Sequence, residues 1–555
     1  MLISTTQNTS KAIGDGPMDA EILLIIDCPA RADLDSGRPL SGQMGSVYLS
    51  QFRAAGIERS NIRIETISGE ACPGANFYRL PRNDQTYWRV EALDRIKARI
   101  ADNPNLKLII PAGEEALRLI AGKKSLFKWH LSPLEPADWL PKIRVLPLLS
   151  PHYIMKVFRD IAYISFGAQR ASQILSLHHQ TTTTPTPQRP ASSSPSQPVR
   201  RTALLTPTLP QIQHWTAQTL ASGADWLGLD IETGAGQITC VGFAISELEA
   251  MCIPTLPTDW PDPVEFLEVW KCVRDLCESD IPKTNQNIIY DATYLNAYGI
   301  MVRNIQHDTM SAMRFLNPEF KKGLDNVARI YAYEPFWKDD AKDWGARQNI
   351  NDLYLYNCKD ASVVIEITKN QIQELKERND LERFRSLVMD CWSPAAEMCW
   401  NGFPVRQDEL HRMRAKADID IERWTAVLNL EAQKLLGKDI NPSSHQQVKE
   451  LLKVARFTLP TKQGKETSDY GALCELRLKA PESQMLEALL NLSKLKKQRT
   501  SYLSYRFNET TSRMHFSFLI NSTETGRWAS GTDPWDRGLN VQTIPANMKA
   551  QFGYE

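Results

Sequence analysis

Residues 178–210 divide this chain into parts that must fold around separate cores. The stretch contains Thr181-Thr182-Thr183-Thr184-Pro185 and Ala191-Ser192-Ser193-Ser194-Pro195. It offers almost nothing to bury, and its prolines oppose regular helix or strand, so it reads as a tether. Arg189, Arg200 and Arg201 on it read as solvated charge. A single core rarely grows beyond about 250–300 residues, so a chain of 555 residues is expected to hold about three domains.

After the tether the chemistry concentrates in carboxylates. The apolar run Trp226-Leu227-Gly228-Leu229 reads as a buried strand, and Asp230-Ile231-Glu232 follows it directly. Strand side chains alternate, so Asp230 and Glu232 are expected on one face, converging on one point. Asp291 lies beyond Asn287, and Asp360 lies four residues after Tyr356, a spacing that puts phenol and carboxylate on one face of a helix. Converging carboxylates repel one another unless a cation sits among them. Hard oxygen donors suit Mg²⁺ or Mn²⁺ rather than zinc. Taken singly, Asp360 also reads as a helix-surface acid and Tyr356 as core packing; Asp308 reads as a cap for the helix that follows it.

Asp-x-Glu, Asn-x3-Asp and Tyr-x3-Asp, in this order, resemble the three motifs of the DEDDy 3′→5′ proofreading exonucleases attached to family A DNA polymerases. The resemblance implies an RNase H-like domain, a mixed sheet with helices, over residues 211–378. It implies that Asp230, Glu232, Asp291 and Asp360 hold two divalent ions, Mg²⁺ or Mn²⁺, and that Tyr356 orients the attacking water. Asn287 would help place a single-stranded 3′ end. Two ions about 3.5–4 Å apart activate water and spread charge onto the leaving oxygen.

Before the tether, strand-like runs at residues 22–26, 62–67, 106–110 and 143–149 alternate with helix-like runs at 47–55 and 114–121. This predicts an α/β domain with a largely parallel sheet, whose sites form at the carboxyl ends of the strands. Gly37-Arg38-Pro39-Leu40-Ser41-Gly42-Gln43-Met44-Gly45, Ala112-Gly113 and Ser150-Pro151-His152-Tyr153 resemble the uracil-DNA glycosylase superfamily. Residues 1–177 are therefore expected to form a glycosylase-like α/β domain. Ser150-Pro151 replaces that superfamily's His-Pro pair, and Asp27-Cys28-Pro29 stands at its acidic or Asn position, so the domain is expected to be catalytically degenerate. A stand-in role for His152 is the alternative.

Residues 379–555 read as mostly helical. Met485, Leu489, Leu492 and Leu495 form an apolar stripe, with Lys494, Lys496, Lys497 and Arg499 as a basic cluster. Gly402-Phe403-Pro404-Val405, Thr525-Gly526-Arg527 and Leu539-Asn540-Val541-Gln542 resemble the early palm and thumb of family A DNA polymerases. The resemblance implies that Arg527, Asn540 and Gln542, with Lys494, Lys497 and Arg499, contact a primer–template duplex. A loop-bracing role for Asn540 and Gln542 is the alternative. It also leads to the expectation that the palm's metal-binding motif and the fingers come from downstream chain or a second polypeptide.

Lys plus Arg and Asp plus Glu both number 65, so any nucleic-acid surface must be a local patch. The ten cysteines form no CxxC pair, and no apolar run approaches a membrane span. A cytoplasmic protein is expected, in the host cytoplasm if phage-encoded. Three functional readings stand at this point: a family A DNA polymerase portion with a working proofreading exonuclease, a stand-alone DEDDy nuclease, and a non-catalytic DNA-binding subunit.

Overall fold

The computed structural model describes residues 11–181, 201–339, 349–462 and 464–553. These fall into two compact units. The first comprises residues 1–288, 301–313 and 320–381, and the second 289–300, 314–319 and 382–555.

The first unit holds two sheets. Strands β1 (Gly14–Asp15), β2 (Ile22–Ile26), β3 (Ile62–Thr66), β4 (Leu108–Pro111) and β5 (Arg144–Val145) pair in the order β1-β3-β2-β4-β5. All neighbours are parallel except β1 with β3. The central strand β2 is ILLII and buried throughout, as a strand covered on both faces must be. One face packs on Trp88, Ala92 and Ile96 of the helix Arg82–Ala101 and on Ala116, Leu117 and Ile120 of the helix Glu114–Ala121. The strand expected over 143–149 is short: regular pairing covers only Arg144–Val145.

The second sheet of this unit is mixed. Strands β6 (Thr202–Leu204), β7 (Leu227–Gly234), β8 (Gln237–Ala244), β9 (Glu249–Pro254), β10 (Lys283–Asn285) and β11 (Ile305–Asp308) pair in the order β11-β10-β7-β8-β9-β6. The meander β7-β8-β9 is antiparallel, whereas β10 runs parallel to both β7 and β11, and β6 parallel to β9.

The helix Ile350–Glu377 lies across this sheet, burying Tyr354, Cys358, Ala361 and Ile365 against Cys240, Ala244 and Cys252. Two glycines make that approach possible. A Cβ at Gly228 would stand 2.0 Å from the Ala361 carbonyl oxygen, and one at Gly242 would stand 2.5 Å from Asn357 Oδ1.

Regular structure reaches into the stretch read as a tether from both sides: the helix Ile161–Thr181 extends past residue 178, and β6 begins at Thr202. The run between them, including Arg189 and Arg200, lies outside the described residues. Arg201 is not the solvated charge the sequence suggested. Its side chain is only 8% exposed and pairs with Glu334 at 3.0 Å and Glu366 at 3.4 Å.

In the second unit, the helix Trp392–Asn401 stops at Gly402, whose φ of 62° favours glycine. The helices Gln407–Leu436, His445–Val454, Tyr470–Lys479 and Gln484–Tyr502 enclose a core of Leu428, Leu451, Leu452, Leu476, Leu486 and Leu489. A second core gathers Val405, Leu410, Leu503, Met514, Leu539 and Met548. All ten cysteines are free thiols. No helix among the described residues is long and apolar enough to cross a membrane.

Candidate active site

Asp230 and Glu232 sit on β7 opposite Gly242 and Cys240 of β8. The two-residue period puts both on the face that the helix Ile350–Glu377 covers. Gly228 and Gly242 let that helix come close enough to deliver Asp360. One carboxylate oxygen each from Asp230, Glu232 and Asp360 lies within 4.8 Å of the others, the spacing of a cation site.

Asn357, one residue beyond Tyr356, ties helix to strand. Its side-chain amide donates to Asp230 Oδ2 at 2.8 Å and to the Asp230 carbonyl at 3.1 Å. From the other side, the Asn285 side chain of β10 donates to the Leu229 carbonyl at 2.5 Å. The strand that presents the acids is therefore held by two side-chain amides, one from the covering helix and one from the neighbouring strand. Neither contact was anticipated from sequence, because a lone Asn within an apolar helix face or at the end of a short strand carries no periodic signal.

Two further residues reach Asp360 from the segment after the helix Leu324–Tyr331. Trp337, 2% exposed, donates its indole N–H to Asp360 Oδ1 at 2.6 Å. Lys338 donates to Asp360 Oδ2 and, at 2.6 Å, to the Tyr356 hydroxyl. Burial opposes the Lys338 charge, yet Asp360 and Tyr356 outweigh it and hold the amine above its ordinary range. Burial first, and then the Asp360 charge, raises the Tyr356 phenol, so it stays protonated at neutral pH and can donate a hydrogen bond.

Asp291 is buried in the first turn of the helix Ile288–Ala297 and is counted in the second unit. The described three-carboxylate group is Asp230, Glu232 and Asp360. Asn287 precedes that helix with φ 67°. Asp308 caps, as expected: Oδ1 accepts from Ser311 N at 2.6 Å and Oδ2 from Ile288 N at 2.8 Å.

In the first domain, Asp27 accepts from the backbone N–H groups of Glu115 and Ala116 at 3.2 and 2.9 Å, and burial pushes its carboxyl up to about 6. Ser150 caps the helix Pro151–Lys156 by accepting from Tyr153 N at 3.2 Å. Burial lowers the His152 imidazole.

In the second unit, Arg527 is exposed. The Ser530 hydroxyl donates to Asn540 Oδ1 at 2.8 Å, with Gln542 Oε1 at 3.3 Å, so these amides brace their loop while remaining exposed. Lys494 and Lys497 are exposed, whereas Arg499 pairs with Asp418 at 2.7 Å.

The carboxylate trio and the helical Tyr-x3-Asp both fall within a single stretch, residues 217–376. Residues 217–376 match the family described as 3′–5′ exonuclease. Parts of the chain are also similar to bacterial DNA polymerases I and to a uracil-DNA glycosylase. The chain is 25% identical to DNA polymerase I of Borreliella burgdorferi over 332 residues, 58% of this chain and 35% of that protein. It is 22% identical to DNA polymerase I of Bacillus subtilis over 271 residues, 45% of this chain and 28% of that one. The chain thus spans about a third of the length of these relatives. It is also 27% identical to the type-4 uracil-DNA glycosylase of Thermotoga maritima over 152 residues, 27% of this chain and 73% of that enzyme. A solved structure of the POL domain of Pol1 from M. smegmatis, in complex with DNA primer-template and dNTP, aligns with a TM-score of 0.48. It shares 19% identity over 63% of this chain and 57% of that one.

Proposed function

We propose that this protein is a family A DNA polymerase component whose exonuclease domain removes nucleotides from the 3′ end of a DNA strand. The observation that carries the reading is the convergence of Asp230, Glu232 and Asp360 within 4.8 Å, in a region matching the 3′–5′ exonuclease family. The donor set, carboxylate oxygens only, fits Mg²⁺ or Mn²⁺. Asp230, Glu232 and Asp360 would hold the ions, with Asp291 as a fourth acid on the strength of its motif alone. Bound there, two such ions would supply Lewis-acid activation of water and charge neutralisation at the leaving oxygen.

The chain's own residues do the rest. Asn357 fixes the Asp230 carboxylate in orientation, and Trp337 fixes Asp360. Tyr356, protonated and held by Lys338, directs its hydroxyl toward a water at the scissile phosphate. Asn287 contacts the terminal nucleotide.

Arg527, Lys494, Lys497 and Arg499 grip primer–template phosphates, while Asn540 and Gln542 present amides to minor-groove acceptors common to all base pairs. Residues 379–555 are assigned duplex binding. The setting is the cytoplasm, in an infected host if the gene is a phage's.

The test is digestion of a 5′-labelled single strand in Mg²⁺. Laddering from the 3′ end supports the exonuclease reading, and an intact strand contradicts it.

A further inference from the structure

The segment that carries Trp337 and Lys338 to Asp360 is gripped at both ends by the glycosylase-like domain. At its start, Arg170 on the helix Ile161–Thr181 donates to the carbonyls of Ile330 at 3.3 Å and Ala332 at 2.8 Å, and to Leu131 of its own domain at 2.6 Å. Tyr163 on the same helix packs edge-on to Phe320 at 4.7 Å and hydrogen-bonds Asn326 Oδ1 at 3.1 Å.

At the far end the grip is the short helix Leu126–Trp129. Lys128 forms an ion pair with Asp339 and lies 5.0 Å above the Phe336 ring, and Trp129 meets Phe336 edge-to-face at 5.7 Å. Arg329 closes the contact by donating to the Phe127 carbonyl at 3.2 Å. Between these grips the only residues that reach Asp360 and Tyr356 are Trp337 and Lys338, among the contacts of the described residues. A domain without its superfamily's His-Pro pair has thus kept a continuous contact with the strap lining another domain's carboxylates.

We propose that the glycosylase-like domain is a positioning element of the exonuclease site: by clamping residues 332–339 through Lys128, Trp129 and Arg170 it holds Lys338 and Trp337 on Asp360 and Tyr356. This rests on the exonuclease reading for its kinetic consequence. The geometric consequence stands without it. With the clamp in place, the Lys338 ammonium fixes the Tyr356 hydroxyl for its work on water but competes with divalent ions for Asp360. Loosening the clamp therefore slows turnover and tightens ion binding together. A merely structural contact would move neither in that paired way.

The experiment uses the full chain with Lys128→Ala and Trp129→Ala combined, and Lys128→Arg with Trp129→Phe as the conservative pair. Three quantities are read: amide exchange of peptides covering 332–339, Mn²⁺ affinity by calorimetry, and kcat and KM on a single strand. The alanine pair is expected to speed exchange in 332–339 about tenfold or more, to tighten Mn²⁺ binding at least threefold, and to lower kcat about tenfold at constant KM. The conservative pair should restore all three.

Unchanged exchange, unchanged Mn²⁺ affinity, or a loss confined to KM overturns the clamp. If the wild-type chain digests no DNA, the exonuclease reading fails, while exchange and Mn²⁺ binding still decide the clamp. If the alanine pair does not fold, Arg170→Lys takes its place under the same criteria, since a single ammonium lacks the guanidinium fork that bridges Leu131, Ile330 and Ala332.

Discussion

Asn357 donates its side-chain amide to the Asp230 carboxylate at 2.8 Å, which locks the helix bearing Tyr356 and Asp360 to the strand bearing Asp230 and Glu232. A buried amide in this position orients a charged group that would otherwise swing. Groups that orient ion-binding side chains are typically worth about 10–100-fold in affinity or activity. Asn357→Leu is expected to lower the exonuclease rate within that range and to cost about 1–3 kcal/mol of stability from the unsatisfied partners. Single-turnover digestion and urea unfolding measure the two.

Gly228 permits the approach that makes this bond possible. A Cβ there would stand 2.0 Å from the Ala361 carbonyl oxygen, a backbone atom that cannot rotate away. Gly228→Ala should force helix and strand apart, destabilising the domain by about 1–3 kcal/mol and cutting activity by about 10² because the carboxylates no longer converge. A wild-type digestion rate in this variant would mean that the close packing is dispensable.

Arg201 joins the chain after the tether to the exonuclease domain by pairing with Glu334 and Glu366, all three side chains at most 8% exposed. Removing the guanidinium leaves Glu334 with Lys359 and Glu366 with the Tyr333 N–H as partners, so Arg201→Ala should destabilise the domain by about 1–3 kcal/mol. Arg201→Lys should recover part of the loss. Urea denaturation monitored by tryptophan fluorescence tests both.

The strap contact should weaken in acid. His130 is buried with Nε2 lacking a hydrogen-bond partner among the described residues, and burial, then the nearby Arg329 and Lys321 charges, lower its pKa to about 3. The unfolded chain takes up this proton near pH 6.5 while the folded chain resists it down to about pH 3. The stability His130 contributes is therefore complete above the unfolded value and is lost as pH falls between the two. From pH 7 to 5 the expected loss is about 2 kcal/mol. His130→Gln should flatten this part of the pH–stability curve; an unchanged slope would contradict the assignment.

Half of the carboxylate site was legible in sequence because it obeys periodicity. Asp230 and Glu232 share a face through the two-residue strand repeat, and Tyr356 and Asp360 share one through the four-residue helix repeat. What escaped has no repeat to betray it. Trp337 and Lys338 arrive from an irregular segment, where a lysine beside a tryptophan is indistinguishable from solvated charge. Arg201 was misread for a related reason: composition placed it in a polar, proline-rich stretch, and only the fold supplies Glu334 and Glu366. The parallel glycosylase-like sheet was legible from its buried strands, but its grip on the strap is made of long-range pairs such as Lys128 with Asp339, which no local pattern encodes.

The central claim is that Asp230, Glu232 and Asp360 form a hydrolytic ion site, and a paired substitution tests it most directly. Digestion of a single-stranded DNA should proceed in Mg²⁺ or Mn²⁺ and stop with EDTA. In Asp230→Ala combined with Glu232→Ala, the rate is expected to fall by at least about 10³-fold, with strand binding within a few-fold of wild type. Digestion by the double variant at the wild-type rate would contradict the account.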